Sequence, residues 1–328
     1  MGSNVKTEKL LTCVDDAVYT IQSLPMNLLF RGQVNDTWLP QPTLLRREMS
    51  YKWEIYEFVL FDYLIQNKKN IPYVKMCDPF EYFATLQHFG VPTRLLDVTN
   101  DIYTALFFAC YDPTGENIDR DGILYLINKD LFFEEQLIKA PDFLSAENID
   151  VMHKRLDFSD IRLVTPFTKN PRSRSQHGQF LCFPFVSIAG NEGHYVTLND
   201  FSNFANEELK KDFSQKNPNK DWSNFKVPIL MYVKIDKTRK KAILDELDYL
   251  YGINEQFLFA STSYATKVEP FFRYLQWYAM QHAEILYPLV EKIKTLDITR
   301  EEKCKFVYDQ YLKNKEKSTE TFHCECII

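Results

Sequence analysis

An arginine placed among apolar residues is the first feature of this 328-residue chain that could do chemistry. Residues 28–33 read LLFRGQ, so that Arg31 closes an apolar run typical of a short buried strand. A buried guanidinium is costly unless it meets a carboxylate or a phosphate, which its planar fork holds through two hydrogen bonds. We expect Arg31 either to form a structural ion pair or to bind an anion.

A second polar cluster lies within residues 86–99, which are otherwise core-like. Its six hydrogen-bonding side chains are Gln87, His88, Thr93, Arg94, Asp97 and Thr99. Buried polar groups need partners, so a network is predicted. The alternation of a strand puts Asp97 and Thr99 on one face, beside the N-terminus of a helix predicted to begin at residue 102, where free N–H groups suit an anion. Alternatively, Arg94 and Asp97 pair with each other or with chain neighbours.

A third cluster, residues 171–180, has the sequence PRSRSQHGQF, in which Arg174 precedes a Gln176-His177-Gly178 turn. Its likeness to residues 87–90, QHFG, suggests His88 and His177 as a pair of metal ligands. The chain has no H-x-x-x-H, C-x-x-C or H-E-x-x-H spacing, so no metal is expected. The alternative for His88 is a core or turn histidine whose hydrogen bonds are satisfied within the protein.

Composition narrows the ways in which the chain could hold a ligand. It has only 9 glycines, and neither G-x-x-x-x-G-K-[ST] nor G-x-G-x-x-G occurs, which excludes the P-loop and Rossmann fingerprints. The net charge of −6 gives no general nucleic-acid footprint. The sequence shows no signal peptide or membrane span, and its 7 scattered cysteines are typical of reduced thiols. A cytoplasmic location and no membrane partner are expected.

Hydrophobic periodicity predicts the elements that would position these clusters. Helices are predicted over 7–23, 49–68, 79–87, 102–111 and 237–251, with two more after residue 269. Strands are predicted over 26–30, 93–98, 123–127, 180–185 and 229–235. Segregated strands and helices indicate an α+β fold.

Taken together, the three clusters resemble the FRG domain family, named for the Phe-Arg-Gly of its first motif. The matching segments, in order, are FRGQ at 30–33, QHFGVPTRLLDVT at 87–99, ALFFA at 105–109 and RSQHGQF at 174–180. The resemblance implies an N-terminal helix over residues 1–24, an FRG domain over 25–262, and a C-terminal helical extension and tail over 263–328.

The order of the motifs is also similar to that of ADP-ribosyltransferases. By analogy the fold is expected to have a central mixed or split β-sheet flanked by helices, and the substrate is expected to be NAD. The analogy implies that Arg31 holds the pyrophosphate or ribose, that Thr99 orders the nicotinamide side, and that Gln176 or Gln179 stands near the position of the family's glutamate. A neutral amide cannot stabilise an oxocarbenium-like centre, so the candidate carboxylate is Asp97, or a glutamate such as Glu192 or Glu255 that folds close to the site.

Two classes of function follow for the same pocket. The first is an ADP-ribosyltransferase-like or NAD-cleaving enzyme with Asp97 and Gln176 as catalytic candidates and a protein or nucleic acid as acceptor. The second is a non-catalytic module that binds a nucleotide-like small molecule or a protein. Hydrolase or nuclease chemistry through His88 and His177 stays open. The expected ligand-binding residues are Arg31, Gln87, His88, Thr93, Arg94, Thr99 and Arg174.

Overall fold

A computed structural model describes most of the N-terminal half of the chain and selected parts of the rest. The continuous described segments are 10–11, 13–22, 27–46, 78–137, 161–166, 175–184, 230–259 and 265–294. Residue 158 and some residues within 56–63 and 306–313 are also described. The statements below concern these residues.

The described strands form one sheet. In chain order they are β1 (Leu10–Leu11), β2 (Leu28–Gln33), β3 (Leu95–Thr99), β4 (Gly122–Asn128), β5 (Phe133–Glu135), β6 (Arg162–Val164), β7 (Gly178–Cys182) and β8 (Leu230–Ile235). Their order across the sheet is β1-β8-β4-β2-β3-β7-β6-β5. The central pairs are antiparallel, whereas β1 with β8 and β5 with β6 are parallel. The prediction of a mixed sheet flanked by helices is thereby confirmed.

The sheet has the fewest registered residue pairs at its centre, between β2 and β3. Strand β2 pairs with β4 over its whole length, from Leu28 to Gln33, but it shares a single registered pair with β3, Phe30 with Thr99. Strand β3 in turn pairs fully with β7, from Leu95 to Thr99. The two halves of the sheet are therefore joined by this one registered pair.

Six α-helices are described with their bounds. They are α1 (Val14–Gln22), α2 (Pro79–His88), α3 (Ile102–Cys110), α4 (Lys240–Tyr251), α5 (Glu255–Leu258) and α6 (Ala265–Lys294). Residues 56, 57, 59–61 and 63 are helical as well. In the described part of the chain, no helix combines the length and the apolar character needed to cross a bilayer.

Each face of the sheet carries its own core, because successive strand residues point to opposite faces. Leu29, Ile123 and Tyr125 belong to one core, with α2 and α6. Phe30 and Leu124 belong to the other, with α1, α3 and α4. Burial on both faces explains why residues 123–127 read as an unbroken apolar run.

Helix α6 packs into the first of these cores rather than standing apart from it. Its residues Phe272, Leu275 and Ala279 are at most 1% exposed, and the ring of Phe272 stacks on that of Phe89 with centroids 4.2 Å apart. This contact lies directly after His88, so the C-terminal helix supports the segment that carries the second polar cluster. The predicted domain boundaries at 24 and 262 stay predictions.

The structure corrects several predicted bounds. Strand β2 runs on to Gln33, which puts Arg31 inside a strand rather than at its end. Helix α1 begins at Val14 rather than Thr7, and the residues just before it, Leu10–Leu11, pair with β8 at the edge of the sheet. Edge strand β5 and its neighbour β6 were not predicted, because three-residue strands give too short a pattern to recognise.

Candidate functional site

A pocket of about 320 Å³ lies where β2 and β3 meet. Helices on both faces of the sheet contribute to its wall, since Gln87 comes from α2 and Phe108 from α3. We infer that the pocket occupies the gap left by the single β2–β3 pair. Four residues expected from the sequence to share a cavity all line it: Arg31, Asp97, Thr99 and Gln176.

Arg31 brings a desolvated positive charge to this pocket. Its side chain is 17% exposed, its Nε donates to Gln33 Oε1 at 2.9 Å, and its Nη1 donates to the backbone carbonyl of Asp97 at 2.7 Å. Burial lowers the pKa of Arg31, and the nearby Asp97 carboxylate opposes this shift. No described residue bonds Nη2, so part of the guanidinium fork is available to a ligand.

Asp97 faces the pocket with a side chain that is 62% exposed. Its Oδ2 accepts a hydrogen bond from Gln87 Nε2 at 2.8 Å and lies 3.8 Å from Arg31 Nη1. Gln87 Nε2 also donates to the carbonyl of Leu95 at 3.2 Å, while Thr93 donates its hydroxyl proton to Gln87 Oε1. The predicted polar network therefore exists, and it holds one side of the Asp97 carboxylate.

Thr99 acts on the protein itself rather than presenting its hydroxyl to the pocket. Its Oγ1 donates to the carbonyl of Gln176 at 2.7 Å and accepts from the N–H of Asp101 at 3.0 Å. These bonds tie the end of β3 to the turn before β7. The single hydroxyl proton of Thr99 is thus committed, which leaves only its remaining acceptor capacity for a ligand.

The N-terminus of α3 does not offer the free N–H groups expected from the sequence. Asp101 caps this helix: its Oδ1 accepts from Tyr103 N at 3.2 Å, and its Oδ2 accepts from Thr104 N at 3.1 Å and from Thr104 Oγ1 at 2.5 Å. The cap carboxylate occupies the place where an anion would bind. Arg31 is the arginine that lines this pocket and is therefore the candidate for binding an anion there.

The two glutamines of the third cluster have different surroundings. Gln176 lines the pocket, but its Nε2 donates to the carbonyl of Leu258 at 3.1 Å. Gln179 is 8% exposed and donates from Nε2 to Thr165 Oγ1 at 2.7 Å. Its Oε1 is buried and has no hydrogen-bond partner in the described part of the chain. Neither side chain supplies a negative charge.

Arg94 and Thr93 are not among the pocket-lining residues, contrary to their expected role in ligand binding. Arg94 is fully buried, with Nε 3.0 Å from Glu57 Oε1 and Nη1 donating to the carbonyl of Phe183 at 3.2 Å. The rings of Phe83 and Phe158 flank its guanidinium at 5.3 Å. The structural ion pair proposed as the alternative for Arg94 is thus present, with Glu57 rather than Asp97 as the partner.

His88 lines the pocket at the end of α2, and its ring contacts that of Phe89 edge-on at 4.9 Å. His177 does not line it: its side chain is 59% exposed, with Nδ1 3.9 Å from Asp101 Oδ2. The residues described contain no group of three potential ligands that could hold a metal ion. Arg174 lies outside the described residues.

Sequence reasoning missed residues that line the pocket and residues that support it. Phe108 and Phe180 line the pocket, although their sequence surroundings indicate only core packing. Glu57 pairs with Arg94 and lies in a helix 37 positions earlier in the chain. No local sequence pattern could indicate this partner. Asp101 is a further contributor, since its carboxylate caps the helix N-terminus that was expected to bind an anion.

Comparison with known families agrees with the resemblance noted in the motifs. Residues 26–117 match the family model of the FRG domain, a range that contains Arg31, Gln87, His88, Asp97 and Thr99. No curated protein and no solved structure matches the chain. The third motif, around Gln176, lies beyond the matched range. Residues 26–117 thus carry the match to the FRG domain, and most of the residues that line the candidate pocket fall within this range.

Proposed function

We propose that the pocket binds a nucleotide-like small molecule, with its phosphate on Arg31. The observation that carries this proposal is the Arg31 guanidinium, which is largely desolvated, faces the pocket and has an uncommitted Nη2. Asp97 offsets its charge only partly, at 3.8 Å. A phosphate would satisfy the free side of the fork with charge-assisted hydrogen bonds.

The rest of the lining suits the other parts of a nucleotide. Phe30, Phe108 and Phe180 supply aromatic surface against which a planar base can pack. A volume of about 320 Å³ is at the lower end of the range for small-molecule sites and matches a ligand of roughly mononucleotide size. The ligand can be held without a glycine-rich loop, in keeping with the absence of such loops from the sequence.

Titration calorimetry with AMP, nicotinamide mononucleotide, ADP-ribose and NAD tests the proposal. We expect at least one of these compounds to bind the wild-type protein and Arg31→Ala to weaken that binding at least about tenfold, the effect of losing a hydrogen bond to a charged group. Arg120→Ala is the matched control, because Arg120 is exposed and outside the pocket. Absence of binding, or equal affinities for wild type and Arg31→Ala, would refute the proposal.

A second candidate function is NAD cleavage, and the position of Asp97 favours it. In this reaction the bond between ribose C1′ and the nicotinamide nitrogen breaks, its electron pair leaves with nicotinamide, and water adds to C1′ with release of a proton. A carboxylate stabilises the positive charge that develops on the ribose. Asp97 is the pocket residue that can supply this charge, whereas Gln176 and Gln179 are neutral.

Release of nicotinamide from NAD, followed by chromatography, decides between binding and cleavage. Cleavage predicts turnover that Asp97→Asn reduces at least about a hundredfold, in line with the loss of one electrostatic contribution to the transition state. Parallel incubations with protein, DNA and RNA, using labelled NAD, would identify an acceptor. Arg31-dependent binding without turnover would leave the chain as a binding module.

A further inference from the structure

We propose that Asp97 recognises a ribose hydroxyl of the bound nucleotide, so that the pocket favours nucleotides that carry this hydroxyl over analogues that lack it. The inference rests on the proposed function and assigns a specificity-determining residue to it. Two hydrogen-bonding groups in the pocket support it, because neither has a partner among the described residues. They are one carboxylate oxygen of Asp97 and one guanidinium nitrogen of Arg31.

The network around Gln87 fixes which oxygen of Asp97 is free. Gln87 Oε1 accepts the proton of Thr93, and both protons of its Nε2 point to acceptors, the carbonyl of Leu95 and Asp97 Oδ2. The orientation of the Gln87 amide is therefore determined by its partners. Asp97 Oδ2 is engaged, and Oδ1 has no partner among the residues that the structure describes.

A free carboxylate oxygen requires a donor, and its neighbour Arg31 limits which donor that is. Arg31 Nη1 lies 3.8 Å from Asp97 Oδ2, so a cationic group of the ligand would meet like charge. A neutral hydroxyl avoids this repulsion. The ligand must also carry an anion within a few ångströms of that hydroxyl, to satisfy Arg31. A ribose phosphate combines both groups, and carboxylates recognise ribose hydroxyls in other nucleotide sites.

Calorimetry with AMP, 2′-deoxy-AMP, 3′-deoxy-AMP and inorganic phosphate tests the inference. The wild-type protein should bind AMP at least about tenfold more tightly than one of the two deoxy analogues, because removal of the hydroxyl loses a hydrogen bond to a charged group. Asp97→Ala should bring this ratio to about one, while binding of that deoxy analogue persists through Arg31. Asp119→Ala is the control, because Asp119 is exposed and outside the pocket, and it should keep the wild-type ratio.

Two outcomes overturn the inference alone: equal affinity of the wild-type protein for all three nucleotides, or a ratio that survives in Asp97→Ala. Failure of the wild-type protein to bind any nucleotide overturns the proposed function together with it. Asp97→Asn serves as a second variant with the shape of the side chain preserved, and it should lower the ratio by weakening the acceptor. Thermal melting of each variant separates loss of selectivity from loss of folding.

Discussion

The ion pair between Arg94 and Glu57 places two charges in the core, directly before the strand β3 that carries Asp97 and Thr99. Their side chains are 0% and 2% exposed, and Arg94 also donates to the carbonyl of Phe183, just beyond β7. The pair thus links the helical residues around position 57 to the start of β3. Isolated charges cannot remain in such a place, so each residue depends on the other.

We predict that Arg94→Met destabilises the protein by about 3–5 kcal/mol, because the Glu57 carboxylate then lacks this guanidinium in the core. The free energy of unfolding in urea measures the effect. The double variant Arg94→Met/Glu57→Leu should recover a large part of the loss, since it removes both charges. A single variant as stable as the wild type would show that the pair contributes nothing.

The sequence could predict that the arginines need partners but not which partner each would have. Arg31 and Arg94 both adjoin apolar strands, and both could form an ion pair or bind an anion. The fold separates them: Arg94 meets a carboxylate from a distant helix, whereas Arg31 meets Asp97 only loosely. Long-range contacts of this kind are decided by packing, and local residue patterns do not encode them.

At the scale of elements, the contact between β2 and α3 explains the glycine of the Phe-Arg-Gly motif. A Cβ atom on Gly32 would lie 1.8 Å from the carbonyl oxygen of Ala105 and 2.5 Å from the nitrogen of Ala109. The backbone of the strand therefore packs directly on the backbone of the helix. This close packing of two backbones leaves no room for a side chain at position 32.

Gly32→Ala is predicted to cost about 3 kcal/mol or more, because β2 and α3 must separate to admit the methyl group. Urea unfolding gives the value. Gly115→Ala is the comparison, since Gly115 has a φ of +72° but nothing within 4 Å of its Cβ position, so only the strain of a left-handed residue is added there, about 1–2 kcal/mol. Equal losses for the two variants would contradict the packing argument.

Element bounds were predictable where capping and periodicity coincide. Asp78 followed by Pro79 predicts the start of α2, and the observed cap accepts from Phe80 N. The length of β2 was not predictable, because Arg31 and Gly32 look like the end of a strand. Pairing with β4 extends the strand through both residues. Arg31 therefore lies in a strand at the wall of the pocket rather than in a loop.

At the scale of the whole molecule, the two cores on either side of the sheet bury two free thiols. Burial raises the pKa of Cys110 and of Cys182 from 9.0 to about 12 in each case. Cys110 lies in the core around α3 and Cys182 in the core around α2. These thiols stay protonated in the folded protein over a range of pH in which they ionise in the unfolded chain.

Stability should therefore fall as the pH rises from about 9 towards 12. Well below pH 9 the thiols are protonated in both states, and stability does not depend on them. Above it the unfolded chain releases protons that the folded protein retains, which favours unfolding by about 1 kcal/mol per pH unit for each thiol. Urea unfolding at several pH values measures the slope. Cys110→Ala/Cys182→Ala should show a shallower slope, and an unchanged slope would contradict the assignment.

Binding of a nucleotide phosphate by Arg31 is the central claim. The affinities of AMP, nicotinamide mononucleotide, ADP-ribose and NAD for wild type, Arg31→Ala and Arg120→Ala test it most directly. The position of Arg31 in the pocket predicts that wild type and Arg120→Ala bind at least one of these compounds and that Arg31→Ala binds it at least about tenfold more weakly. The same affinity in all three proteins, or no binding of any of the four compounds, would contradict it.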